Sequence, residues 1–217
     1  MKPKPRNCFP GFTVVELLVI VALVAILFAM AVTIIDKPDR GGKRTSCMSQ
    51  LRLIGMAAWV YASENRDRFP IPRAFADPSQ TNLVSESIVA PVFQKTSIYL
   101  RDLKNLVCPL DSERHAVTNI DKLKDGNISY FLNSDVVITN AARYSIFSGD
   151  RFLRANGRAV KSGWFLLTTN STMTWLPDRH SGRGNLGFAD GHVESTQTNF
   201  DAIVRSQPQS TNFLAIP

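Results

Sequence analysis

The chain has 217 residues, 20% of them charged and 44% hydrophobic, with 25 Lys and Arg against 18 Asp and Glu and a formal net charge of +7. No run of basic residues is long enough to serve as a nucleic-acid arm, and the cations are interleaved with acids. The excess charge therefore offers little toward nucleic-acid binding.

The first segment, Met1 to Gly11, carries Lys2, Lys4 and Arg6 and no acid. It runs into Gly11-Phe12-Thr13-Val14-Val15-Glu16-Leu17, and Leu17 to Ile35 is nineteen residues without a charge. As a helix that stretch is about 28 Å long, close to the ~30 Å hydrocarbon core of a bilayer. A secretory signal would have a shorter apolar core followed by a small-residue cleavage site. Here the cut must precede the apolar run, so the run is expected to stay in the mature chain. Flanking charge does not set the orientation, because Lys37, Arg40, Lys43 and Arg44 balance the leader. Glu16 is the informative residue, since a carboxylate beside such a stretch costs on the order of 2.5–3.5 kcal/mol at bilayer centre and is kept for a purpose.

The heptad Gly11 to Leu17 resembles the processing site of type IV pilins and of type II secretion pseudopilins. The resemblance implies cleavage by a prepilin peptidase between Gly11 and Phe12 and N-methylation of Phe12. It also implies that Glu16 pairs with the N-terminal amine of a neighbouring subunit during assembly. Loss of the leader removes three cations, so the net charge falls to 7 − 3 = +4.

Asp36-Lys37-Pro38-Asp39-Arg40-Gly41-Gly42 predicts a helix break. A second helix is expected from about Thr45 to Asn65, with Cys47, Leu51, Ile54, Ala58 and Tyr61 on its packed face and Gln50, Arg52 and Ser63 elsewhere. Pro70 and Pro72 forbid its continuation. A short helix is expected near Val92 to Asp102, and a brief strand or extended segment, stopped by proline, over Leu106 to Asp111. Short strands follow at Ile128–Leu132, Val136–Thr139, Tyr144–Phe147, Gly163–Thr169 and Thr172–Leu176. The clearest hairpin is Leu186 to Glu194, with Asp190-Gly191 as a type I′ turn. The last twenty residues read as frayed.

Three later stretches resemble a branch of prepilin-like proteins. Ser46 to Gly55, with Tyr61-Ala62 and Arg68-Phe69-Pro70, resembles that branch's segment after the first helix. Cys108-Pro109-Leu110-Asp111 resembles its Cys-Pro-Ser-Asp element, with Leu110 departing from it. His180, nine residues, then Asp190-Gly191 resembles its C-terminal His-x9-Asp-Gly signature.

In such a protein Cys8 leaves with the leader, and Cys47 and Cys108 remain as an even pair in an oxidising compartment. A disulfide is expected, with buried free thiols or metal ligands as the other readings. The absence of Cys-x-x-Cys spacing argues against a thiolate zinc site. His180, Asp190 and His192, with Asp178 near by, form a candidate divalent metal site. The competing reading is structural, with Asp190-Gly191 making a turn and His180 bonding a neighbour. Ser181 beside His180 suggests a hydrolase, but adjacent residues rarely point at one another and no nucleophile elbow is present. No enzyme activity is expected.

The resemblance thus implies an α+β pilin-like fold, with one long N-terminal helix, half transmembrane and half amphipathic, on a small antiparallel sheet. The expected divisions are a leader (1–11), a transmembrane assembly helix (12–35), a kink or linker (36–44) and an extracytoplasmic head (45–217). The function implied is a pseudopilin or minor pilin-like subunit. Its location would be single-pass in the inner membrane with a periplasmic head. Its partners would be the prepilin peptidase, an inner-membrane assembly platform and sister subunits. The alternative is an anchored head that binds a ligand or polysaccharide and does not polymerise.

Overall fold

The computed structural model describes residues 13–35, 40–70, 88–138, 142–177 and 180–217. The expected cleavage site Gly11–Phe12, the break at Asp36 to Asp39 and Asp178 lie outside them. Two compact units divide near Asp39.

The first unit contains helix α1, Val14–Ile35. Its apolar residues from Val14 to Phe28 are 46–75% exposed. The expected long, half-transmembrane helix is overturned. α1 ends at Ile35 and helix α2 starts anew at Arg40, and among the described residues no helix is long and apolar enough to cross a membrane. The expected single-pass inner-membrane location is corrected with it.

The second unit opens with α2, Arg40–Glu64, which takes in Gly41 and Gly42 rather than breaking at them. Cys47, Leu51, Ile54 and Ala58 are buried as the spacing predicts. Gln50 is buried as well, against expectation, because its side-chain oxygen accepts a 2.6 Å hydrogen bond from the Tyr130 hydroxyl. Helix α3, Ala90–Thr96, has Pro91 in its first turn. Its entry is held from outside: the Asp125 carboxylate accepts the backbone N–H groups of Ile88, Val89 and Ala90 at 2.6–3.0 Å. That satisfies amides a helix start leaves without partners.

Nine strands follow among the described residues: β1 Tyr130–Asn133, β2 Ile146–Asp150, β3 Leu153–Ala155, β4 Arg158–Ala159, β5 Gly163–Thr168, β6 Met173–Trp175, β7 Gly184–Phe188, β8 Val193–Thr196 and β9 Thr211–Ile216, with helix α4, Asp201–Arg205, between the last two. They form a six-stranded sheet in the order β5-β9-β1-β2-β7-β8 and a three-stranded sheet β4-β3-β6. All pairings are antiparallel. The six-stranded sheet has a core on each face. Tyr130, Leu132 and Ala215 pack with Cys47, Leu51 and Ile54 of α2. Phe131, Leu186, Leu214 and Ile216 pack with Leu153, Met173 and Trp175 of the smaller sheet. Burial from both sides explains why β1, β2 and β7 are buried at every position instead of at alternate ones.

Several expectations are corrected here. The described part of the Val136–Thr139 segment is not a strand, and Leu103–Leu106 is a 3₁₀ turn that leads into Cys108. The C-terminus is not frayed: β9 lies between β5 and β1, with Leu214, Ala215 and Ile216 buried. The small expected sheet is two sheets.

Candidate functional site

At the start of α1, Thr13 and Glu16 close a reciprocal capping box. The Glu16 carboxylate accepts the Thr13 N–H and hydroxyl, both at 2.9 Å, and the Glu16 N–H donates to Thr13 Oγ1 at 3.3 Å. A Thr-x-x-Glu spacing places these groups opposite one another over the first turn. The Thr13 N–H, and then its hydroxyl, hold the Glu16 carboxyl below its ordinary pKa. Glu16 therefore has a local role in starting α1, which the sequence reading did not assign to it.

The second group lies in the head. Cys47, on the buried face of α2, is disulfide-bonded to Cys108, with Cα atoms 5.4 Å apart and a sequence separation of 61. Cys108 sits in a tight turn closed by the Asp111 N–H donating to the Cys108 carbonyl at 2.8 Å. That turn gives Cys108-Pro109-Leu110-Asp111 two ends with separate tasks. The sulfur faces Cys47 and His180, and the carboxylate faces Ser129 and Arg151.

Asp111 accepts the Ser129 hydroxyl at 2.8 Å and Arg151 Nε at 2.9 Å. Burial alone would raise the Asp111 pKa, but the Arg151 hydrogen bond and charge outweigh it and hold the carboxyl below its ordinary value. Arg151 also pairs with Glu113 and lies over the Phe152 ring. Its part in the motif is not visible in the sequence, forty residues away.

His180 is buried, and its Nε2 lies 3.1 Å from Cys108 Sγ. Burial, then the charge of Arg44, lowers its pKa from 6.5 to about 4, so the ring is neutral near pH 7. His180, Ser181 and Gly182 are all left-handed, with φ of +48°, +57° and +72°. Single left-handed residues are tolerated in turns, but two non-glycine residues in succession carry strain. Ser181 points to solvent while His180 is buried, so the two neighbours face different surroundings.

The expected ligand trio of His180, Asp190 and His192 is not brought together. Asp190 and His192 pair with each other at 2.5 Å, both more than a third exposed. Burial opposes it, but the His192 N–H and imidazole keep the Asp190 carboxyl below its ordinary pKa. The His192 ring stacks on Phe188 with centroids 4.2 Å apart, and Trp59 Nε1 of α2 donates to the Ala189 carbonyl at 2.8 Å.

The hairpin turn is also of another type. Gly191 is left-handed at φ +92° and Asp190 is not. Phe188 takes the Gly191 N–H on its carbonyl and gives its own N–H to the His192 carbonyl. This is a three-residue loop closed by a glycine bulge rather than a type I′ turn.

Among the described residues one group of His, Cys and acidic side chains can hold a metal ion: Cys47, Cys108 and His180, all buried, with ligand atoms within 4.8 Å of one another. The two sulfurs of that group stand at disulfide distance. No family model, curated protein or solved structure matches the chain.

Proposed function

We propose that this protein is a pseudopilin or minor type IV pilin-like subunit, cut by a prepilin peptidase between Gly11 and Phe12 and assembled into a fibre through α1. The reading is of a structural subunit, not an enzyme. The observation that carries it is the start of α1. Glu16 is the one acid in the first turn, and the large apolar side chains from Val14 to Phe28 are exposed on every side of the helix. A helix apolar on all sides requires burial by other apolar surface, and the α1 helices of sister subunits supply it. Glu16 then has a second partner available, the methylated amine that cleavage creates at Phe12. The assembly platform and peptidase are the remaining partners of this reading.

A divalent metal in the head is its second part. The geometry favours Cys47, Cys108 and His180 as the holders over the exposed Asp190–His192 pair, because imidazole and thiolate bind such ions strongly once desolvated.

Intact mass of the protein recovered from cells with a prepilin peptidase tests the processing step. The expected product begins at N-methylated Phe12, and Gly11→Ala leaves the full precursor. A precursor that stays uncut with Gly11 in place contradicts the reading.

A further inference from the structure

The strongest concentration of ligand chemistry in the head is the meeting of Cys47, Cys108 and His180, which are 0%, 1% and 8% exposed. Their donor atoms fall within 4.8 Å of one another. Each is delivered by a different element and held by different forces. Cys47 is fixed in α2 by the packing of Leu51 and Ile54. Cys108 is fixed by the turn whose far end, Asp111, is locked to Arg151 and Ser129. His180 is delivered by a strained left-handed turn. Its Nε2 faces Cys108, and its buried Nδ1 has no hydrogen-bond partner among the described residues. A purely structural turn is made at less cost by glycine, so the imidazole at this position needs its own reason.

We propose that Cys47, Cys108 and His180 form a redox-gated zinc site, closed to metal as the disulfide and open to one Zn²⁺ as the dithiol. Two thiolates and one imidazole are a zinc donor set, with one position left for water or a small ligand. Hard cations such as Ca²⁺ and Mg²⁺ want oxygen instead. Tetrahedral geometry with Zn–S near 2.3 Å separates the sulfurs by about 3.8 Å, so the two sulfurs, at bonding distance in the disulfide, move apart on reduction to admit the ion. Two thiolate charges cancel the ion's charge, so the filled site is neutral, as its burial requires.

The switch balances. A dithiol reductant gives two electrons and two protons to the Cys47–Cys108 bond and itself becomes a disulfide. Zn²⁺ then displaces the two thiol protons to solvent and forms two Zn–S bonds. This deepens the divalent-metal part of the proposed function and does not depend on the fibre part.

The full chain, refolded anaerobically from reducing denaturant, is titrated with Co²⁺ and then Zn²⁺. The expected result is one ion per chain and an intense near-ultraviolet thiolate-to-cobalt absorption that Zn²⁺ abolishes. Chain oxidised before metal addition shows neither. His180→Asn, which tolerates the left-handed backbone, lowers affinity on the order of tenfold or more with unchanged far-ultraviolet circular dichroism.

A reduced chain without the absorption, folded or not, overturns the proposal, as does an absorption that His180→Asn leaves unaltered. Cobalt bound without that absorption and lost in Asp190→Ala places the ion on the exposed pair. That outcome overturns this site while leaving a divalent metal in the head. Intact mass of the same preparation reports on leader removal separately.

Discussion

His180 Nε2 lies 3.1 Å from Cys108 Sγ across seventy-two residues of chain. The contact joins the two signatures that the sequence shows far apart, the Cys-Pro-x-Asp element and the His-x9-Asp-Gly element, through their first residues. The Cys47–Cys108 bond beside it closes a loop with a sequence separation of 61. In loop-entropy terms such a bond is worth about 4 kcal/mol. Cys47→Ala combined with Cys108→Ala is expected to lower unfolding free energy by roughly that amount in urea titrations of the oxidised protein. A loss near zero would show that the bond constrains nothing in the unfolded chain.

Asp111 and Arg151 anchor the turn that presents Cys108, with Arg151 Nε 2.9 Å from a fully buried carboxylate oxygen. Removing one partner of a buried pair costs about 3–5 kcal/mol, because the other is left charged and dry. Arg151→Met should therefore destabilise the head by about 3 kcal/mol or more. The Asp111 carboxyl is held below its unfolded value, so its contribution is present above about pH 4 and is lost as pH falls through the folded value. Acid unfolding should be less steep in the variant than in wild type.

Asp150 behaves in the opposite sense. It is buried in β2, its Oδ2 accepting the backbone N–H and side-chain amide of Asn185 at 2.8 and 3.0 Å, and burial raises its pKa from 3.8 to about 7. Between about pH 4 and about pH 7 the folded chain keeps a proton that the unfolded chain releases. Stability from this group therefore falls as pH rises through that window and levels off above it. The loss is on the order of 4 kcal/mol. His180, depressed to about 4, slopes the other way between about pH 6.5 and 4, so wild type alone shows a flattened curve. The difference between wild type and Asp150→Asn isolates Asp150. Asp150→Asn is expected to gain stability relative to wild type as pH rises from 4 to 7, and a pH-independent difference contradicts this.

Gly184 and Gly187 both lie in β7 but meet different neighbours. A Cβ at Gly184 would sit 2.4 Å from the Trp175 ring, while one at Gly187 meets nothing closer than 3.7 Å. Trp175 is itself held by stacking on Phe200 and by its Nε1 donating to Thr196 Oγ1 at 2.7 Å, so it has little room to retreat. Gly184→Ala should cost about 1–3 kcal/mol by overpacking, and Gly187→Ala should be within about 0.5 kcal/mol of wild type. Thermal unfolding of the two variants side by side checks the contrast.

Local patterning carried much of the head. The three- and four-residue spacing in α2, the strand at Gly163, and the Leu186–Glu194 hairpin were legible from local signals, helical periodicity in the first and short apolar runs bounded by turn residues in the other two. The strands β3, β4 and β9 were not, since β3 and β4 are only three and two residues long, β9 follows the polar stretch Ser206 to Ser210, and their pairing depends on partners distant in sequence. The length of the apolar run suggested a membrane span, a conclusion the described helix does not support. The site was half legible. Cys47 and Cys108 pair as composition suggested. His180 joins them instead of Asp190 and His192 because a left-handed turn redirects it, and no spacing rule reports backbone handedness. Arg151 escaped notice because a salt bridge across forty residues leaves no periodic trace.

The proposed fibre makes Glu16 a charge partner between subunits, beyond its capping bond to Thr13. Glutamine at the third helical position also closes a capping box, so Glu16→Gln keeps the start of α1 and removes only the charge, whereas Glu16→Ala removes both. Chemical crosslinking of processed protein in cells, resolved as a ladder of oligomers, is the direct measurement. The expected result is a ladder for wild type that both Glu16→Gln and Glu16→Ala abolish, with Phe12 still processed. A Glu16→Gln protein that forms the wild-type ladder would contradict it and leave Glu16 a helix cap alone.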